Sequence, residues 1–180
     1  MQTEIEKTIA VLKNGGLILY PTDTIWGIGC DATNTDAVKK IYSIKKRMES
    51  KALISLVANA TQLKQLSSKI PKEGLNENPT TIIYNQVTGL ANNLLAPNGS
   101  AGIRIAQDEF CKELIKVFGK PIVSTSANIS GEHSPINFSE ISEEIKKNVD
   151  YIVNLRQNED MQTPSAILLV NSDGSIKKIR

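Results

Sequence analysis

The sequence predicts a mixed α/β (α+β) fold: a sheet of parallel and antiparallel strands with helices packed on it. Two observations predict it. Apolar runs of strand length alternate with segments of helical period along most of the chain. In the middle and in the tail, strand-like runs instead follow one another with no helix between them, which calls for mixed pairing. Composition agrees: of 180 residues, 40% are hydrophobic and 22% charged, as in an ordinary globular chain. A length of 180 residues suits one domain over residues 1–180.

The elements follow in order. Thr3 and Glu6 have the spacing of a capping box, Ile5, Ile9 and Leu12 repeat at helical spacing, and Gly15-Gly16 stop the helix. Leu17 to Tyr20 reads as a buried strand closed by Pro21. Ile25 to Cys30 is punctuated by glycines, where backbone can approach a ligand closely. Asn34 or Thr35 caps a second helix, which turns Val38, Ile41 and Tyr42 inward and ends near Lys45-Lys46-Arg47. Strands are predicted at 53–57, 80–84 and 101–105, with a short helix at 61–69. Asp108 starts a helix that carries Phe110, Leu114, Ile115 and Val117 inward to Gly119 and Pro121. A strand from Pro121 runs into a polar, loop-like stretch at 124–131. A helix at 139–147 and a strand at 151–155 follow. Residues 156–164 are the best candidate for a mobile loop. The chain closes with strands at 166–170 and 175–179, antiparallel across a turn at 171–174.

Several function classes are excluded. No apolar run approaches the roughly 20 residues that cross a bilayer, and the polar start MQTEIEKT is no signal peptide. Cys30 and Cys111 form no CxxC pair, so free buried thiols and a reducing, cytoplasmic compartment are expected. There is no GxxxxGK[ST] loop, no GxSxG elbow, and only the start of a dinucleotide fingerprint at Gly27-x-Gly29. The single histidine, His133, has no partner at ligand spacing for zinc or a catalytic triad. A net charge of +2 gives no global basic field of the kind nucleic-acid binders show.

Hydroxyls, amides and cations remain. Lysines and arginines gather between Lys39 and Lys51, and Lys45 and Arg47 at a helix end suit a polyphosphate as well as plain solvation. Ser124, Ser126 and Asn128 alternate after an apolar strand, so in extended chain they point one way, as a donor-rich wall. A self-satisfied turn explains the same three residues. Arg104 between Ile103 and Ile105 faces either solvent or an anion in a cavity. Thr22 and Thr24 flank Asp23 in what is equally a turn.

Together these segments resemble the YrdC-like family of threonylcarbamoyl-AMP synthases. The blocks NGGLILYPTDTIWGIGCDA, the helix ending in Lys45-Lys46-Arg47, Ala101 to Ile105, Pro121 to Gly131 with its S-x-S-A-N pattern, and Pro164 to Ile167 come in the family's order. The resemblance implies an open twisted sheet with a large concave cationic cavity. It implies that L-threonine, bicarbonate and ATP give threonylcarbamoyl-AMP and pyrophosphate. A partner complex then carries the threonylcarbamoyl group to tRNA. Lys45, Arg47, Ser126 and Asn128 match the family's catalytic, ATP-side tetrad. Thr81 and Ser134 match further ATP contacts. Thr22 or Thr24, Arg104, Ser124 and Ser165 match the threonine site. Mg²⁺ would bridge the phosphates, and no protein residue is assigned to hold a metal.

The chain departs from the family pattern at several points. Met48, Ala52 and Ala106 stand where prolines are usual, the Trp-Pro-Gly-Pro block is reduced to Asn78 to Thr81, and the long linker and second domain that some relatives carry are not expected here. Lost prolines loosen loops without removing chemistry. The rival expectations are a non-catalytic paralogue that binds double-stranded RNA or tRNA, and a related carbamoyl-adenylate-forming enzyme with another acceptor.

Overall fold

Fourteen regular elements in the described residues follow from local signals, most of them at the predicted places. The computed structural model describes residues 1–46, 53–75, 78–171 and 175–180. The first helix, α1 (Gln2–Lys13), buries Ile5, Ile9 and Leu12, but its N-cap is Met1 with no side-chain cap. Thr3 therefore lies inside the helix, and the expected capping box does not form. Strands β1 (Ile18–Tyr20) and β2 (Gly27–Gly29) follow. Helix α2 (Thr35–Ile44) is capped by Asn34, whose side chain accepts from the N–H groups of Asp36 and Ala37. Next come β3 (Ile54–Val57), α3 (Ala60–Leu66), β4 (Thr80–Tyr84) and β5 (Ala101–Ile105).

Helix α4 (Glu109–Phe118) is capped by Asp108 and ends on Gly119, which takes the left-handed conformation at φ 78°. It turns Phe110, Cys111, Leu114, Ile115 and Phe118 inward, whereas Val117 is 52% exposed. The apolar stripe is rotated from the expected one because Cys111 and Phe118 take the positions facing the sheet. Strand β6 (Ile122–Ser126) extends through serines expected to be loop, because pairing on both sides satisfies their backbone. The predicted helix at 139–147 splits into a 3₁₀ turn, Phe138–Glu140, and α5 (Glu143–Lys147), capped by Ser142. Strands β7 (Tyr151–Ile152), β8 (Ala166–Val170) and β9 (Ile176–Lys178) complete the chain. The expected turn at 171–174 lies mostly outside the described residues. Residues 156–164 are tied down at Arg156, which donates to the carbonyl of Thr22 at 3.1 Å, and at the buried Met161, whose N–H meets the Ile136 carbonyl at 2.6 Å.

The strands form one open sheet in the order β7-β1-β2-β6-β3-β5-β4-β8-β9. β1 with β7, β3 with β5, and β4 with β8 are parallel, and the other pairs are antiparallel. Alternation along the strands divides the core. One face packs Ile18, Tyr20, Leu56 and Ile122 beneath α1 and α4. The other packs Leu19, Ile28, Val57, Ile103 and Val123 beneath α2, α3 and α5. Both cysteines are buried free thiols, and burial raises the pKa of each. Among the described residues, no helix is long and apolar enough to cross a membrane.

The phase of α4 has a measurable consequence. Leu114→Ala should destabilise the protein by about 2–5 kcal/mol in chemical unfolding, since it empties a fully buried site. Val117→Ala should change stability by less than about 0.5 kcal/mol.

Candidate active site

The register of β6 lays out the floor of a cavity. Ser124 lies opposite Ile54 on β3, which lies opposite Gly102 on β5, while Ser126 lies opposite Gly27 on β2. These residues share the sheet face of α1 and α4, beyond the area the helices cover. Glycines keep that floor open. A Cβ on Gly27 would sit 3.3 Å from Ser124 Oγ, and one on Gly102 would sit 3.4 Å from Thr81 Cγ2. The resulting cavity of about 240 Å³ is bounded by Thr24, Arg104, Ser124, Ser126, Ser134 and Ser165, with Arg180 at its rim. A second cavity of about 430 Å³ shares Ile25, Ser134 and Pro164 with it and is lined further by His133, Ile136 and Met161.

Arg104 is 4% exposed. Its Nη2 lies 3.0 Å from Asp23 Oδ1, and its Nη1 donates to Thr24 Oγ1 at 3.2 Å. Its Nε has no hydrogen-bond partner among the described residues, and neither does Asp23 Oδ1, since the ion pair misses hydrogen-bond geometry. A buried guanidinium that lines a cavity among hydroxyls suits an oxyanion. Arg180 donates through Nε and Nη2 to the Ser165 carbonyl, at 3.1 and 3.0 Å. Partial burial, and then the charge of Arg104, lower its pKa, so two guanidiniums repel each other across a site that an anion would relieve.

The other predicted site residues take different places. Thr22 is buried outside the cavity: its hydroxyl accepts from the N–H groups of Thr24 and Ile25 and donates to the Ile25 carbonyl. It builds the turn, and Thr24 supplies the wall. Thr81 bonds Ser165 Oγ at 2.8 Å from behind that wall. Lys45 is 1% exposed, and its Nζ donates to the carbonyls of Ser126 and Asn128 at 2.5 and 2.7 Å. Its side chain thus reaches the end of β6, where it holds backbone. Asn128 donates to the carbonyls of Ile129 and Glu132, shaping the loop that carries Ser134. Arg47 lies outside the described residues.

Three participants were missed by sequence reasoning. Asp23 looked like part of a turn, Arg180 like a chain end, and Arg156 like part of a loop. The alternation of Lys178 and Arg180 past a predicted strand was the one available signal for the second. Beneath the cavity, Asp108 caps α4 through Oδ1, and its Oδ2 is buried without a hydrogen-bond partner among the described residues. Burial holds its carboxyl above the usual range against the Cys111 N–H bond, and the charge of Asp23 adds to the rise.

An open mixed sheet with a half-covered face, whose bare part holds a guanidinium among hydroxyls, defines a class of small-molecule-binding α/β proteins. The chain belongs to the Sua5/YciO/YrdC family, whose model, described as telomere recombination, matches residues 10–180. It is 31% identical to a threonylcarbamoyl-AMP synthase of Pseudoalteromonas translucida, over 84% of this chain and 86% of that protein. A Hahella chejuensis protein of the same name is 34% identical over 69% and 71%. Among solved structures, P. abyssi Sua5 complexed with L-threonine superposes with a TM-score of 0.86 at 23% identity, and this chain covers 54% of it. E. coli YciO gives 0.84 at 21% identity over 89% of its length. These likenesses bear out the expected fold: an open, mixed sheet with flanking helices.

The raised Asp108 pKa sets the sign of a pH effect. The folded chain keeps this proton where the unfolded chain has lost it. Its contribution therefore weakens stability as pH rises from the ordinary 3.8 through the raised folded value. Asp108→Asn keeps a good cap and removes the titration. Thermal unfolding should show the variant gaining on wild type as pH rises from below 3.8 to neutrality.

Proposed function

We propose that this chain, acting as one domain over residues 1–180, is an L-threonylcarbamoyladenylate synthase. In this reaction L-threonine, bicarbonate and ATP give threonylcarbamoyl-AMP and pyrophosphate, a nucleotidyl transfer in the cytoplasm. The observation that carries the proposal is the convergence of Thr24, Arg104, Ser124, Ser126, Ser134 and Ser165 on one cavity, in a chain whose relatives bear that name.

The threonine carboxylate is placed on Arg104, which lines the cavity. Thr24, Ser124 and Ser165 supply hydroxyls around the amino acid. The amine attacks the carbon of bicarbonate, forming the N–C bond and releasing water. The carbamate oxygen then attacks the α-phosphorus of ATP, and the bond to pyrophosphate breaks. The carbamate is itself the anionic nucleophile, so positioning and charge neutralisation supply most of the rate. The nucleoside is placed in the second cavity, past Ser134, with Ser126, Asn128, Lys45 and Arg47 on the phosphate side. Thr81 would act through Ser165.

Mg²⁺ fits this chain poorly as a protein-held ion. Among the described residues, no group of three or more His, Cys, Asp or Glu side chains could hold it, so it would enter with the nucleotide as part of the substrate. The product would pass to a complex that modifies tRNA.

Pyrophosphate release from ATP should require both threonine and bicarbonate. Salt-sensitive binding of double-stranded RNA without that release would identify the chain as a binding protein instead. Serine in place of threonine should lower kcat/KM about 10–200-fold, the effect of one missing methyl group. Arg47→Ala should abolish most activity while leaving the melting temperature nearly unchanged.

A further inference from the structure

We propose that Asp23 is a positioning residue for substrate recognition: it holds the Arg104 guanidinium in place on the cavity wall, where the carboxylate of an α-amino acid would meet it. The proposal rests on the function given above. Both side chains are almost fully covered, at 3% exposure for Arg104 and 5% for Asp23. A buried arginine in an irregular cavity has many rotamers and would turn toward any acceptor. Here it is held at one end. Asp23 Oδ1 lies 3.0 Å from Nη2, while Thr24 Oγ1, on the next residue of the same turn, takes Nη1.

Asp23 is itself fixed. Its Oδ2 accepts the N–H of Gln107 at 3.1 Å, just past the end of β5, the strand that carries Arg104. The turn is fastened a second time where Arg156 donates to the Thr22 carbonyl. Turn and strand end thus form one unit with the guanidinium between them. Nε is left over, with no hydrogen-bond partner among the described residues. The ion pair offsets the burial cost of the charge without consuming that donor. Asp23 does not line the cavity and acts only through Arg104.

The test is steady-state pyrophosphate release on wild type, Asp23→Asn, Arg104→Lys and the double variant, varying threonine and ATP separately. Asparagine can still accept from Gln107, and it then turns an amide donor toward the guanidinium in place of the charge. Asp23→Asn should raise the threonine KM about tenfold or more and leave the ATP KM within about twofold, since one charge-assisted contact is misaligned. In the Arg104→Lys background the same change should add less than about twofold, because the partner it orients is gone. Additive effects, equal losses for both substrates, or an unchanged threonine KM would overturn the proposal. If Asp23→Asn does not fold, Asp23→Glu moves the charge by one methylene, and an unchanged threonine KM in that variant overturns it equally. A wild type without threonine-dependent turnover sinks the assigned function as well, which the variants alone would not.

Discussion

The pairing of β6 between β2 and β3 is the constraint on which the rest depends. β6 joins a part of the sheet built from β1, β2 and β7 to a part built from β3, β4, β5, β8 and β9. Because side chains alternate along a strand, this position also sets the two uses of its residues. Ile122 lies under α1 and α4, Val123 meets the opposite core, and Ser124 and Ser126 face the cavity. A slip by one residue would turn both hydroxyls away from the cavity and bring residues of the opposite face, Thr125 among them, into their places. The register that holds the sheet together is thus the register that makes the site.

Lys45 reinforces that strand from another element. Its ammonium meets the carbonyls of Ser126 and Asn128, and its own carbonyl accepts the Ser130 N–H at 2.9 Å. The end of α2 and the end of β6 are therefore locked together. A phosphate-binding lysine that also holds backbone would couple nucleotide binding to the shape of the loop that carries Ser134.

Charge balance lets the cavity wall hold a buried cation. Arg104 would be costly to bury alone. Asp23 offsets the charge, and the turn built by the Thr22 hydroxyl holds Asp23 in place. The pairing is incomplete in hydrogen bonds.

Local chemistry was readable along the chain. Apolar period placed α2, α4 and most strands, Asn34 and Asp108 announced their caps, and Gly119 announced its stop. The alternation of Ser124, Ser126 and Asn128 pointed to a shared face, because the strand repeat is local. Nothing local could tell whether Arg104 meets solvent or an anion, or that Thr24 and not Thr22 walls the cavity. Asp23 was invisible as a site residue for the same reason. Its contact with Arg104 joins segments far apart in the chain, and only the closing of the sheet brings them together.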